Sequence, residues 1–252
     1  MAYRNPAFMV RHYGAEIGTA GITTGFATAT GQGVSRLIDY RLATNMEFAA
    51  AETHWIQYDL GASPPPANRL IIPAGHNLYG NLVLKSGATS PPGTTRVFQD
   101  APASLIDFSW SEVTARYWRL EFGQVDQWEI PELWLGQYQQ LTTGPRPTWD
   151  LPVHTPAVIR SFATREAVLV SSPRRRRLAL EHTALAGADL AIYDAVLANG
   201  VATPFYCWLP DDALATPILF RLTDDGERTQ DHPRPQAALS YTVRLRALEQ
   251  AS

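Results

Sequence analysis

A two-residue alternation of apolar and polar side chains constrains the first 140 residues of this 252-residue chain more than any other feature. The alternation runs through Ile56–Leu60, Ile106–Trp110 and Trp118–Phe122. This period is that of a β-strand with one buried face. The runs are short, and 17 glycines and 19 prolines along the chain supply turns between such segments. The pattern predicts a mainly β fold with an N-terminal sandwich or jelly roll.

The last hundred residues carry a mixed pattern. Ala188–Asn199 repeats apolar residues at helical spacing, and Gly200 follows at the position where a glycine commonly ends a helix. Apolar segments on either side predict strands, the last of them at Leu239–Leu248. We therefore expect a smaller α+β domain here, a β-sheet or split barrel with one helix.

Turn-forming residues suggest the domain boundaries. Leu141–Pro152 reads as a linker, Gly14–Gly33 as an extended arm or loosely packed edge, and Thr223–Ala237 as a long polar loop. The predicted division is an arm or edge over residues 1–34, a jelly roll over 35–140, a linker over 141–152 and an α+β oligomerisation domain over 153–252.

Charge and composition exclude several classes of function. A net charge of −3 argues against nucleic acid as a partner, and no apolar run is long enough for membrane insertion. Residues 1–16 lack the apolar core of a secretory signal, so the sequence predicts no signal peptide. One cysteine and six histidines without metal-ligand spacing predict no metal site and no cofactor.

No catalytic set stands out, and the sequence predicts that the chain is not an enzyme. Cys207 lies in an apolar strand, where a thiol is inert. A carboxylate pair for glycoside hydrolysis stays a minor alternative to solvated strand positions. Its candidates are Asp39, Glu47, Glu52, Asp59, Asp107, Glu129 and Glu132.

Two further motifs allow a functional and a structural interpretation. The run Arg174–Arg177 could bind phosphates or an acidic partner, form a subunit contact, or lie on a solvated turn.

The turn at His76-Asn77 suggests an active-site loop at first sight. Its structural interpretation is that Asn77 and Gly80 hold the turn while His76 satisfies buried backbone groups.

The order of several short motifs resembles discoidin-like (galactose-binding-like) jelly rolls. They cover residues 35–137 and are Asp39, Ala43–Asn45, Trp55–Gly61, His76–Leu78, Arg116–Leu120 and Ile130–Gly136. The form with His-Asn-Leu and a terminal Glu-Leu-Trp-Leu-Gly is most similar to domains of bacteriophage tail proteins. Residues 150–252 resemble phage distal-tail and baseplate domains in their strand pair, single helix and final strands.

This resemblance implies a structural component of a phage tail tip or baseplate, made in the host cytoplasm and located in the virion. It would assemble as a symmetric ring through its C-terminal domain and contact other tail proteins. The candidate subunit contacts are Arg174, Arg175, Arg176, Arg228 and Arg234. The alternative is a carbohydrate-binding module for a host surface glycan. Its candidate contacts, which would equally serve a protein partner, are His54, Tyr79, Trp128 and Tyr138.

Overall fold

A computed structural model describes residues 5–25, 33–48, 54–100, 104–123, 127–142, 158–160, 167–169, 177–185, 187–208, 217–223, 227–230 and 241–249. Its elements in chain order are β1 (Ala7–Met9), α1 (Tyr13–Ile17), β2 (Ile22–Thr24), β3 (Met46–Phe48), β4 (His54–Asp59), β5 (Pro66–Ile72), β6 (Asn81–Gly87), β7 (Thr94–Asp100), β8 (Ile106–Thr114), β9 (Tyr117–Phe122), β10 (Trp128–Ile130), β11 (Trp134–Gly136), β12 (Gln139–Gln140), β13 (Val158–Arg160), β14 (Ala167–Leu169), β15 (Arg177–Leu185), α2 (Gly187–Asn199), β16 (Phe205–Trp208), β17 (Ile218–Leu222), β18 (Glu227–Gln230) and β19 (Tyr241–Glu249). Strands dominate, which confirms the mainly β prediction. The chain forms two compact units: residues 9–139, called here the jelly-roll unit, and residues 1–8 with 140–251, called the C-terminal unit.

The jelly-roll unit is built from antiparallel sheets around one apolar core. Five strands lie in the order β2-β4-β9-β6-β7, three in the order β11-β5-β8, and β3 pairs with β10. The alternation of the sequence appears directly in this core, since Ile56 and Tyr58 of β4 are buried. Tyr58 also donates its hydroxyl hydrogen to the Leu133 carbonyl at 2.8 Å. The polar Gln57 between Ile56 and Tyr58 is buried too, at 7% exposure, so burial in β4 follows the alternation only in part.

The C-terminal unit contains a sheet with the order β12-β1-β16-β17-β19-β15, and β18 also pairs with β19. Helix α2 lies in this unit and buries Ile192, Tyr193 and Val196. The Tyr193 ring lies 5.8 Å from that of Phe8 in β1. Gly200 follows the helix with a φ of 57°, a left-handed conformation that glycine adopts easily. The predicted helix and its terminating glycine are thus confirmed.

Of residues 1–34, predicted as an arm or edge, the structure describes 5–25 and 33–34. Strand β1 lies in the sheet of the C-terminal unit, whereas β2 forms an edge of the five-stranded sheet. Between them, the His12 imidazole accepts the Ala15 N–H at 3.3 Å and caps α1. Helix α1 has only five residues, too few to show a helical period in sequence. The side chains of Phe8 and Met9 in β1 are buried.

Other expectations meet the structure only in part. The predicted polar loop Thr223–Ala237 contains β18, which pairs with β19. The prediction of a loop over this whole segment was therefore wrong. Most of the predicted linker, residues 143–152, lies outside the described residues. Within the ranges given above, neither helix is long and apolar enough to span a membrane.

Candidate functional site

The turn from Pro73 to Gly80 connects the two sheets at one end of the jelly-roll unit. It leaves β5 of the three-stranded sheet and enters β6 of the five-stranded sheet. Gly75 and Gly80 take φ angles of 105° and 74°, which other residues adopt only with strain. Between them, Leu78 is buried and Tyr79 is 51% exposed. The turn therefore fixes an apolar anchor in the core and leaves an aromatic ring in solvent.

His76 holds this turn in place. Its Nδ1 accepts the backbone N–H of Leu78 at 3.2 Å, which assigns the ring proton to Nε2. Nε2 then donates to the Ser104 carbonyl at 2.6 Å. Burial lowers the pKa of the His76 imidazole, so the ring stays neutral and both bonds persist at neutral pH. The structural interpretation of this histidine is confirmed.

Asn77 ties the turn to β10. Its side-chain oxygen accepts the Glu129 backbone N–H at 2.7 Å, and its own N–H donates to the Glu129 carbonyl at 3.4 Å. The Glu129 carboxylate in turn accepts the Asn45 side-chain N–H at 2.7 Å. Glu47 of β3 stands directly opposite Glu129 in the strand register. We call Asn45, Glu47, Asn77 and Glu129 the polar rim.

Buried aromatic rings lie on the same two strands as the glutamates of the rim. Trp128 stacks on Phe48 with ring centroids 3.7 Å apart, and Phe122 lies 3.9 Å from Trp128. His54 meets the Trp128 ring edge-on at 5.4 Å. This packing holds β3 and β10 rigidly where they carry the rim.

The four predicted glycan or partner contacts have different surroundings. Tyr79 is exposed, but His54 and Trp128 are only 2% and 0% exposed, because neighbouring rings cover their faces. The prediction that these two residues contact a ligand directly is therefore corrected: both are core residues. Tyr138 belongs to a separate group of contacts: its N–H donates to the Asn68 side chain at 2.6 Å, and the Arg69 guanidinium lies 5.0 Å from its ring.

The sequence reasoning missed the amide side chains of the polar rim. Asn45 and Asn77 stood within the motifs that carried the family resemblance, but only the structure shows that both reach Glu129. Of the candidate carboxylates, Asp59 and Asp107 form ion pairs with Arg116 and Arg69. Glu132 is buried and accepts the Trp134 indole N–H at 2.5 Å.

The remaining site predictions concern metals and subunit contacts. No group of three or more potential metal ligands occurs among the residues that the structure describes. Of the arginines predicted at subunit contacts, Arg228 lies on β18 opposite Val243. The other four, at positions 174, 175, 176 and 234, lie outside the described ranges.

Comparison with known proteins finds structural neighbours only. No family model and no curated protein matches the chain. One neighbour is chitosan-binding module 1 of a chitosanase/glucanase from Paenibacillus sp. IK-5, 20% identical, with 45% of this chain and 92% of the module covered at a TM-score of 0.40. Another is CpGH89CBM32-6 of Clostridium perfringens, 12% identical, covering 50% and 99% at 0.42. The lectin domain of lectinolysin, complexed with Lewis B antigen, is 14% identical, covering 46% and 91% at 0.38.

These neighbours are carbohydrate-binding modules. None of the three is described as a tail-tip or baseplate protein, so the phage part of the resemblance gains no support from them. The absence of catalytic activity stays a prediction.

Proposed function

We propose that the jelly-roll unit binds a carbohydrate through Tyr79 and the polar rim. The observation that carries the proposal is the half-exposed Tyr79 ring, two residues from Asn77, at the same end of the unit as amide and carboxylate groups. A sugar ring presents apolar C–H groups on its faces and hydroxyls around its edge. An aromatic ring beside a few fixed polar groups offers contacts for both.

The rim also indicates which sugars to expect. It contributes two glutamates, and no lysine or arginine occurs in the described segments 45–48, 73–81, 104–106, 122–123 and 127–130 that meet at this end. An anionic sugar would therefore meet two carboxylates, and the exposed Arg41, four residues before Asn45, is the cation that stands next along that segment. Neutral sugars and cationic amino sugars fit these groups better than uronates or sulfated sugars.

The proposed role replaces tail-tip assembly as the leading interpretation. Ring assembly, tail-protein partners and a virion location have no supporting observation in the described residues. A host surface glycan remains a candidate ligand under the carbohydrate proposal. The known ligands of structural neighbours serve here only to choose compounds: chitotriose, GalNAc-β-1,3-galactose and 4,5-unsaturated mannuronic acid.

Isothermal titration of the full chain with these three compounds tests the proposal. We expect chitotriose, GalNAc-β-1,3-galactose or both to bind, and the mannuronate to bind at least about tenfold more weakly than the better of them. Absence of binding by both non-anionic compounds at millimolar concentration would contradict the proposal. So would tighter binding of the mannuronate, because the charge argument would then be invalid.

A matched pair of aromatic substitutions locates the site. Tyr79→Ala should weaken binding by about tenfold or more, since truncating an exposed anchor removes its contact area. Phe98→Ala is the control, because Phe98 is 66% exposed in β7 of the same unit, where it stands opposite Val83 and belongs to neither the turn nor the rim. Equal affinities of both variants and the unmodified chain would exclude Tyr79 as a contact.

A further inference from the structure

Strand β15 forms an edge of the sheet in the C-terminal unit. It pairs with β19 along one side, and no described strand pairs with its other side. The register with β19 is unbroken from Arg177 to His182. The edge strands β7 and β8 are interrupted by irregularities in their pairing, and β2 has only three residues. Among the described strands, β15 thus offers the longest regular edge for an added strand.

The sequence of this edge is complementary to itself. Residues 177–181 read Arg-Leu-Ala-Leu-Glu. If two copies pair antiparallel about Ala179, Arg177 of each copy stands opposite Glu181 of the other. The same register sets Leu178 opposite the second copy's Leu180. Two opposite-charge pairs and two apolar pairs then form by symmetry, and the smallest side chain of the five lies on the axis.

We propose that β15 pairs with β15 of a second copy of this chain, so that the two sheets join into one. The backbone groups on the side of β15 that no described strand pairs with supply the hydrogen bonds, and the charge pairs set the register. A strand from another protein would need a complementary charge order, which a second copy already has. Because a two-fold contact of this kind uses the same edge on both partners, assembly ends at two copies. The inference does not depend on carbohydrate binding.

Charge reversal at the two positions gives the sharpest test. In the proposed register, Arg177→Glu would make two carboxylates face each other at each charge pair, and Glu181→Arg would make two guanidinium groups face each other. Each variant should therefore dimerise at least about tenfold more weakly. In an equimolar mixture of the two variants every facing pair is again of opposite charge, so dimers should return. Arg41→Glu is the control. It makes the same change of charge as Arg177→Glu, but at an exposed position of the jelly-roll unit.

Sedimentation equilibrium of the full chain measures the outcome. The unmodified chain and the control should show about twice the 27.8 kDa of one copy, and each single variant should shift toward one copy. Arg177→Glu is the safer variant for folding, because Arg177 pairs with Leu248 of β19, whereas Glu181 pairs with Arg244. Circular dichroism confirms that each variant is folded.

Three results would overturn the inference. They are a monomeric unmodified chain at about 100 µM, a folded Arg177→Glu variant that dimerises as tightly as the control, and a closed assembly larger than two copies. Failure of the variant mixture to regain dimers would refute the proposed register specifically.

Discussion

Acid should destabilise the jelly-roll unit through His12. Its Nδ1 accepts the Ala15 N–H, and its Nε2 donates to the Leu37 carbonyl at 3.3 Å, so the folded state requires a neutral ring. The ring is only 1% exposed, and its centroid lies 4.5 Å from that of Trp134. Burial lowers the pKa of the imidazole from 6.5 to about 3.

The sign and size of the effect follow from this difference in pKa. Between pH 6.5 and about 3 the unfolded chain binds a proton that the folded chain does not. The stabilising contribution is therefore complete above pH 6.5 and is lost as the pH falls toward 3. From pH 7 to pH 4 this single group should lower the free energy of unfolding by about 3 kcal/mol.

Urea unfolding followed by tryptophan fluorescence measures this loss, because five of the seven tryptophans lie within residues 9–139. The reference is His12→Asn, whose side-chain oxygen can still cap α1 but does not titrate. The free energy of the unmodified protein should fall by about 3 kcal/mol more than that of the variant between pH 7 and pH 4. Burial also lowers the pKa values of His76 and His182. Both histidines are present in the variant as well, so the difference between the two proteins reports on His12 alone. Equal pH dependence of both proteins would refute the reasoning.

Three further results are expected. Tyr58→Phe should lower the free energy of unfolding by about 1 kcal/mol, because it removes the hydroxyl bond to Leu133; an unchanged urea midpoint would contradict this. Cys207 should resist a thiol reagent until urea unfolds the chain, since burial raises the pKa of its thiol, and labelling at the rate of a free thiol in the folded state would disprove its inertness. Gly136→Ala should destabilise by about 2 kcal/mol or more, because its Cβ would lie 2.5 Å from a backbone oxygen, whereas Gly93→Ala, with open space, should melt like the unmodified chain.

Strands with a clear polar alternation could be predicted from the sequence. Residues 106–110 and 118–122 fall within β8 and β9, and the helix expected over 188–199 begins only one residue earlier. Strand β1 could not be predicted, because three consecutive buried residues show no alternation. Its partners are more than a hundred residues away, so only the folded chain shows the pairing.

The candidate site was predictable only as a region. Sequence pointed to Tyr79 and to aromatic residues near turns, but aromatic type alone does not distinguish Trp128, buried among rings, from Tyr79, exposed in a turn. The polar rim depends on contacts between residues 45, 77 and 129, which are far apart in the chain. Local patterns contain no information on such contacts.

The position of β1 in the C-terminal unit bears on how this protein can be divided. Residues 9–139 form one continuous piece, so a module of this kind can be exchanged or cut out as a single segment. A fragment starting at residue 140 would lack the strand that carries Phe8, whose ring lies 6.1 Å from Phe205. A separate peptide spanning that strand could then occupy the vacant place in the sheet and restore it, as in split-protein complementation.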